Sequence, residues 1–274
     1  MSTINNITQS VAEWNRLKWL YVVAGIGLLL YPITIGSQSV FLGITIMSYC
    51  IFAVSFNLIY GYMGEVPFGH AAFFGLGAYA AGITVTRFGL PYPLALVMGF
   101  IIPVVISVIF SIFATKLIAI YFSIFSLAFG EAVRGILLSM QNITKGTLGL
   151  TFQLPAYFQS SITYYYFVLG LTLTILYTLR RLINSPFGVM IRSVKNSEQR
   201  LHSLGVNPRK IKIMNLTVAG GTAGIAGALF APAASVLFPN LAGWKTGSVA
   251  IWSTLVGGPG VFIGPILGAV LYEP

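Results

Sequence analysis

The chain contains no aspartate, two histidines and a single cysteine. Without aspartate, no Asp-based triad or aspartate-bearing metal cluster can be built. Cys50 alone permits neither a disulfide within the chain nor a cysteine-based metal site. His70 has no partner at metal-ligand spacing, since the other histidine is His202. The chain also has no Gly-x-x-x-x-Gly-Lys-Ser/Thr phosphate loop, no His-Glu-x-x-His and no Gly-x-Ser-x-Gly. No catalytic residue, metal site or cofactor is therefore expected, and an intramembrane enzyme has little to work with. Charge is scarce as well, at 7% of residues, against roughly 25% in soluble domains.

Apolar residues fill that space. They make up 57% of the chain and recur in runs near the roughly 20 residues that cross a bilayer core. Eight spans are expected, at about 19–36, 40–60, 67–86, 93–115, 117–139, 164–182, 213–236 and 247–272. The boundary near Lys116 is the least marked, because 93–139 is apolar almost throughout. The first run is full length and has no small-residue cleavage site behind it, so it reads as a retained helix rather than a signal peptide. The fold class is all-α: one polytopic transmembrane helix bundle over 1–274, lying in the lipid bilayer of a plasma membrane.

The net charge of +10 then reads as topogenic charge and not as a nucleic-acid signal. Eight of the fifteen basic residues lie between Arg180 and Lys212, against one acid, Glu198. With the N-terminus inside, Arg16, Lys18, Lys116 and these eight are cytoplasmic, whereas Arg87, Lys145 and Lys245 are outside. The 183–212 loop has its own grammar. Ser185-Pro186 reads as an N-cap followed by proline at the first helical position. Asn196 is expected to cap a second short helix, with Gln199 closing a capping-box-like pair. Gly205 is the natural stop, with Pro208 beyond it. Phe187, Met190, Ile191 and Val194 make the first helix amphipathic. Two readings stay open: a segment lying on anionic lipid, or a helix docking into a groove on a soluble partner.

Asn57-Leu-Ile-Tyr-Gly-Tyr-Met-Gly64 and Phe68-Gly-His-Ala-Ala-Phe-Phe-Gly-Leu-Gly-Ala-Tyr79 form the second dense stretch. Its glycines, Gly75 and Gly77 among them, allow close backbone approach, and such backbone survives in a membrane only under protein or water. The third span is therefore expected to be packed inside the bundle, with His70 a hydrogen-bonded helix-start residue. Glu131 and Arg134 share a face of the fifth span at i,i+3. They mark either a wet functional cavity or a self-compensating pair. Gly220, Gly221, Gly224 and Gly227, and later Gly260, Gly264 and Gly268, recur at spacings that let helices approach closely.

Three ordered motifs give the chain a family resemblance over about 50–274. They are the 57–79 stretch, the loop residues Ser185-Pro-Phe-Gly188, Arg192, Glu198, Leu204-Gly205 and Lys212, and Gly257-Gly-Pro-Gly-Val-Phe-Ile-Gly-Pro-Ile-Leu-Gly-Ala269. The sequence resembles the permease subunits of ABC transporters for branched-chain amino acids, of the LivM type. Pro67, Glu65 and Lys145 depart from the family pattern, which places Ser, Gln and Gly there. The family pattern also runs through a further hydrophobic stretch, whereas this sequence stops at Tyr272-Glu273-Pro274, so that stretch is expected to be missing.

The resemblance implies a subunit of an ATP-driven importer for small polar solutes. Its partners would be ABC ATPase subunits, a second related permease and an extracytoplasmic solute-binding protein. Ser185, Pro186, Phe187, Gly188, Met190, Arg192, Glu198 and Gly205 would then belong to the coupling loop that meets the ATPase. Asn57, His70, Gly75, Gly77, Glu131 and Arg134 are candidates for the translocation path. A secondary carrier or channel for a small solute is the alternative.

Overall fold

A computed structural model of the chain describes residues 36–152, 158 and 160–272, together with residue 32. Apart from Pro32 and Gly36, the first expected span lies outside the described residues. The α-helices run in the order α1 (Gly36–Asn57), α2 (Ala71–Thr86), α3 (Tyr92–Ala114), α4 (Ile120–Ser139), α5 (Gln141–Thr144) and α6 (Ser161–Ile183). They continue with α7 (Pro186–Asn196), α8 (Glu198–Ser203), α9 (Pro208–Ala234), α10 (Trp244–Gly257) and α11 (Gly264–Tyr272). A π-helical turn, Leu58–Met63, extends α1, and a two-stranded antiparallel ladder pairs β1 (Leu150–Thr151) with β2 (Val236–Leu237).

Five helices among the described residues are long and apolar enough to cross a membrane: α1 with its π turn, α3, α4, α6 and α9. They match the expected spans 40–60, 93–115, 117–139, 164–182 and 213–236. The break expected near Lys116 falls between Ala114 and Ile120. The expected span at 67–86 is the shorter α2 of 16 residues, which is buried over most of its surface.

The eighth expected span is corrected. Residues 247–272 do not form one helix but two, α10 and α11, folded against each other as a hairpin. Gly257-Gly258-Pro259-Gly260 break the helix, with Gly258 at φ 92° and Gly260 at φ 82°, a region that L side chains rarely adopt. The hairpin then closes tightly: Gly257 meets Gly264, and Gly268 lies on the backbone of Ser253, leaving no room for a Cβ at any of the three.

α9 runs through the middle, packed on α1, α2 and α3. Its stripe of small residues explains how. Gly220 faces Ser107, Gly224 faces Pro103 and Gly77, and Gly227 lies on the Phe74 carbonyl, so three backbones come together where side chains would hold them apart. Pro232 sits inside α9 and cannot donate to the carbonyl of Ala228, four residues earlier. The buried Tyr92 hydroxyl takes that acceptor at 2.9 Å and meets the Tyr164 hydroxyl at 2.8 Å. Tyr164 in turn donates to Leu229 O at 2.7 Å, and the carbonyl that Pro232 leaves free keeps a hydrogen bond.

The basic loop folds as two helices lying across the end of the bundle. Ser185 precedes Pro186 at the start of α7, although its hydroxyl donates back to Leu182 O at 2.6 Å. The second cap is corrected by one residue. Asn196 ends α7, and Ser197 caps α8 by accepting from the Arg200 N–H at 3.3 Å. Gly205, at φ 78°, stops α8 as expected.

Candidate functional site: a charged pocket and a linked basic loop

Two close approaches shape the pocket. Gly69, at the start of α2, rests on the backbone of Ser126 and Gly130 in α4, which sets Phe68 beside Leu127 and Glu131. Gly75 then lets Ala242 come against α2. The 3-10 turn Pro239–Ala242 is thereby pressed inward, and α10 starts close to α4.

The space between holds a cavity of about 850 Å³. Glu131, Arg134, Asn240, Lys245 and Ser248 supply its polar wall; Phe68, Leu127, Trp244, Ile251 and Trp252 supply its apolar wall. Arg134 Nε donates to Glu131 Oε2 at 2.7 Å, with both side chains about one-third exposed at 35%. The other oxygen, Glu131 Oε1, is shielded and has no hydrogen-bond partner. Gly243 leaves room for the Arg134 stem. An acceptor without a partner and two cations therefore face one cavity whose remaining wall is apolar. Such a site suits a small ligand that carries both signs of charge and an apolar body.

Of the translocation-path candidates, the structure brings only Glu131 and Arg134 to this pocket. Gly75 and Gly77 are packing positions; Gly77 lies on Gly224. His70 is buried, its Nε2 2.8 Å from Ser55 Oγ and its ring stacked on Phe52 at a 5.5 Å centroid distance. Asn57 is fully buried at the hairpin turn. Its Nδ2 donates to Val261 O at 2.9 Å, and its Oδ1 accepts from Gly260 N at 3.0 Å. Lys245, counted above only as an outside basic residue, belongs to the pocket. Lys245 reads as a loop charge just before the expected span and Trp252 as one more apolar residue within it, because only the hairpin fold turns them toward α4.

At the opposite end of α10, the loop is tied to the bundle by charge. Lys212 Nζ lies 2.6 Å from Glu65 Oε1 and 2.6 Å from Glu198 Oε1, with only 7% of its side chain exposed. Burial pushes the Glu65 carboxyl above its ordinary value, and Lys212 opposes that push. Arg192 caps the end of α6, donating to Ile183 O at 2.8 Å. Lys195 Nζ donates to Gly61 O at 2.9 Å. Gly188 packs on the backbone of Ile183. Phe187 and Met190 are half-buried, with part of each side chain packed against the bundle's own core. The apolar residues left outward are Val189 and Leu204, 58% and 79% exposed.

A helical bundle with this many helices long and apolar enough to cross a membrane is a multi-pass membrane protein. The chain belongs to the branched-chain amino acid transport system / permease component family, whose sequence profile matches residues 39–273. It is similar to the high-affinity branched-chain amino acid transport system permease proteins LivM of Salmonella typhimurium and Escherichia coli. Each is 25% identical over 270 aligned positions, covering 88% of this chain and 63% of the relative. The chain thus spans under two thirds of the length of these curated relatives. No solved structure gives a significant match.

Proposed function

We propose that this chain is a membrane-spanning permease subunit of an ATP-driven importer for small polar solutes, with branched-chain amino acids as the substrates the pocket suits best. The observation that carries the reading is the pocket itself. Glu131, Arg134 and Lys245 cannot face lipid without a large cost, so that wall borders the water-filled path, formed together with a second, related permease. Glu131 Oε1 is placed for an ammonium, Arg134 and Lys245 for a carboxylate, and Leu127, Ile251 and Trp252 for a branched side chain. Membership of the permease family supports the same substrate class.

The basic loop is the cytoplasmic side, a reading that the distribution of Lys and Arg supports. Ser185 to Gly205 is the coupling segment. Its inner face holds the bundle and its outer face, with Val189 and Leu204, meets an ATPase subunit. Closure of the ATPase on ATP biases the bundle between outward-open and inward-open states through differential contacts. A solute-binding protein delivers solute from the other side. Reconstitution into liposomes tests this. Concentrative uptake of leucine, isoleucine or valine is expected only when ATPase subunits, second permease and binding protein are all present. Accumulation by the purified chain alone would refute the subunit reading.

A further inference from the structure

The two regions just described, pocket and basic loop, are joined by a continuous chain of contacts. α10 begins at the pocket with Trp244 and Lys245 and ends, 14 residues later, at the glycine turn. That makes a rod of about 21 Å. α11 is pressed against it at Gly257, Gly264 and Gly268 with no space between backbones, so the hairpin moves as one body. Its turn is gripped by both ends of the Asn57 amide. Gly61, one turn further on, lies so close to Gly260 and Asn57 that a Cβ would collide with both. The Gly61 carbonyl, which itself borders Gly260, accepts from Lys195 of α7. The Lys195 stem lies along Gly64, the residue that ends the π turn.

We propose that Asn57 and Lys195 are positioning residues of a relay. Movement of α7 is passed through Lys195 to the π turn, through Asn57 to the hairpin turn, and along α10 to the pocket wall. The relay rests on the importer reading above and adds the parts that carry the motion. Neither residue lines the pocket: Asn57 is fully buried, and Lys195 is an exposed side chain whose tip is held on the Gly61 carbonyl. The π turn suits the role, because local π geometry is a common site of adjustment within a helix. Two bonded ends and a rigid rod between them form a contiguous mechanical connection, and its coupling is measurable.

The test uses the complete transporter in liposomes, with Thr246→Cys, beside the pocket rim but not lining it, carrying an environment-sensitive fluorophore and Cys50→Ala removing the other thiol. In the otherwise unsubstituted complex, a non-hydrolysable ATP analogue is expected to change the emission. Asn57→Ala and Lys195→Met should abolish that change and lower solute moved per ATP by about tenfold, while ATP hydrolysis continues. Lys195→Arg, which can still donate to Gly61 O, should restore both. A merely structural role would change neither the ratio nor its rescue by arginine. Wild-type emission change and wild-type solute per ATP in both variants would overturn the relay. Should Asn57→Ala not assemble, Lys195→Met decides alone, since its side chain ends at the surface of the bundle. An unsubstituted complex that hydrolyses ATP without uptake would overturn the importer reading, and the relay with it.

Discussion

Replacing Lys212 with methionine isolates the ion cluster that holds the basic loop. The lysine meets two carboxylates at 2.6 Å, but they are not equivalent: the Glu65 side chain is 11% exposed and that of Glu198 is 53% exposed. The exposed pair contributes on the order of 0–1 kcal/mol. Removing one partner of a buried pair costs about 3–5 kcal/mol, because the other charge is left uncompensated. The Glu65 loss therefore dominates. Glu65 already titrates above its ordinary value through burial, and losing Lys212 raises it further.

The native state then holds a proton that the unfolded chain releases. Stability consequently falls as pH rises through the window between the unfolded and folded values, by about 1.4 kcal/mol per pH unit at most. Thermal unfolding of the detergent-solubilised variant should lag the wild type by on the order of 10 °C at pH 8. The gap should shrink as the pH approaches 5. Lys212→Met/Glu65→Gln should recover most of the loss at pH 8. A variant as stable as wild type at pH 8, or a deficit indifferent to pH, would refute the reasoning.

Val189→Asp and Leu204→Asp should leave folding intact and lower ATPase-coupled uptake severalfold, whereas Phe187→Asp and Met190→Asp should destabilise the chain by about 2–5 kcal/mol, since part of each side chain packs against the core. Size-exclusion profiles and uptake, compared across the four variants, separate the two effects. Cysteine at position 198 should label only from the cytoplasmic side and cysteine at 145 only from outside, and labelling of both from one side would overturn the topology. Tyr164→Phe should cost about 0.5–1.5 kcal/mol in thermal unfolding, because the Leu229 carbonyl loses its buried donor.

Most of the bundle is visible in the sequence because lipid imposes a length rule. The runs that became α1, α3, α4, α6 and α9 are each near the bilayer span, and little else can place so many consecutive apolar residues there. The same rule misleads at 247–272. Four consecutive breakers, Gly257 to Gly260, lie inside a run of spanning length, and length outweighed them; the hairpin hides its polar exceptions among residues that read as lipid-facing. The small stripe on α9 announces close packing, but not that Gly77 and Gly99 are what it meets.

The site is legible only in part. Glu131 and Arg134 stand out as intramembrane charges at i,i+3, and their ion pair follows from helix geometry alone. Lys245 and Asn240 reach the same cavity across more than a hundred residues of chain, which no local pattern reports. Asn57 grips a turn 203 residues away, so its amide reads as a path candidate until the hairpin is folded onto it. α7 shows the limit of amphipathic periodicity. It identifies an apolar face without saying whether a partner or the chain's own bundle covers it.

In the proposed function, the pocket serves transport driven by a partner's ATP hydrolysis and not by an ion gradient. It is tested most directly by uptake in the fully reconstituted complex with proton and sodium gradients collapsed by ionophores. ATP-dependent accumulation is expected to persist, and Glu131→Gln to lower its rate or raise its KM without abolishing its dependence on ATP. Accumulation that vanishes with the gradients, and whose gradient dependence is lost in Glu131→Gln, would contradict it and make the chain a secondary carrier.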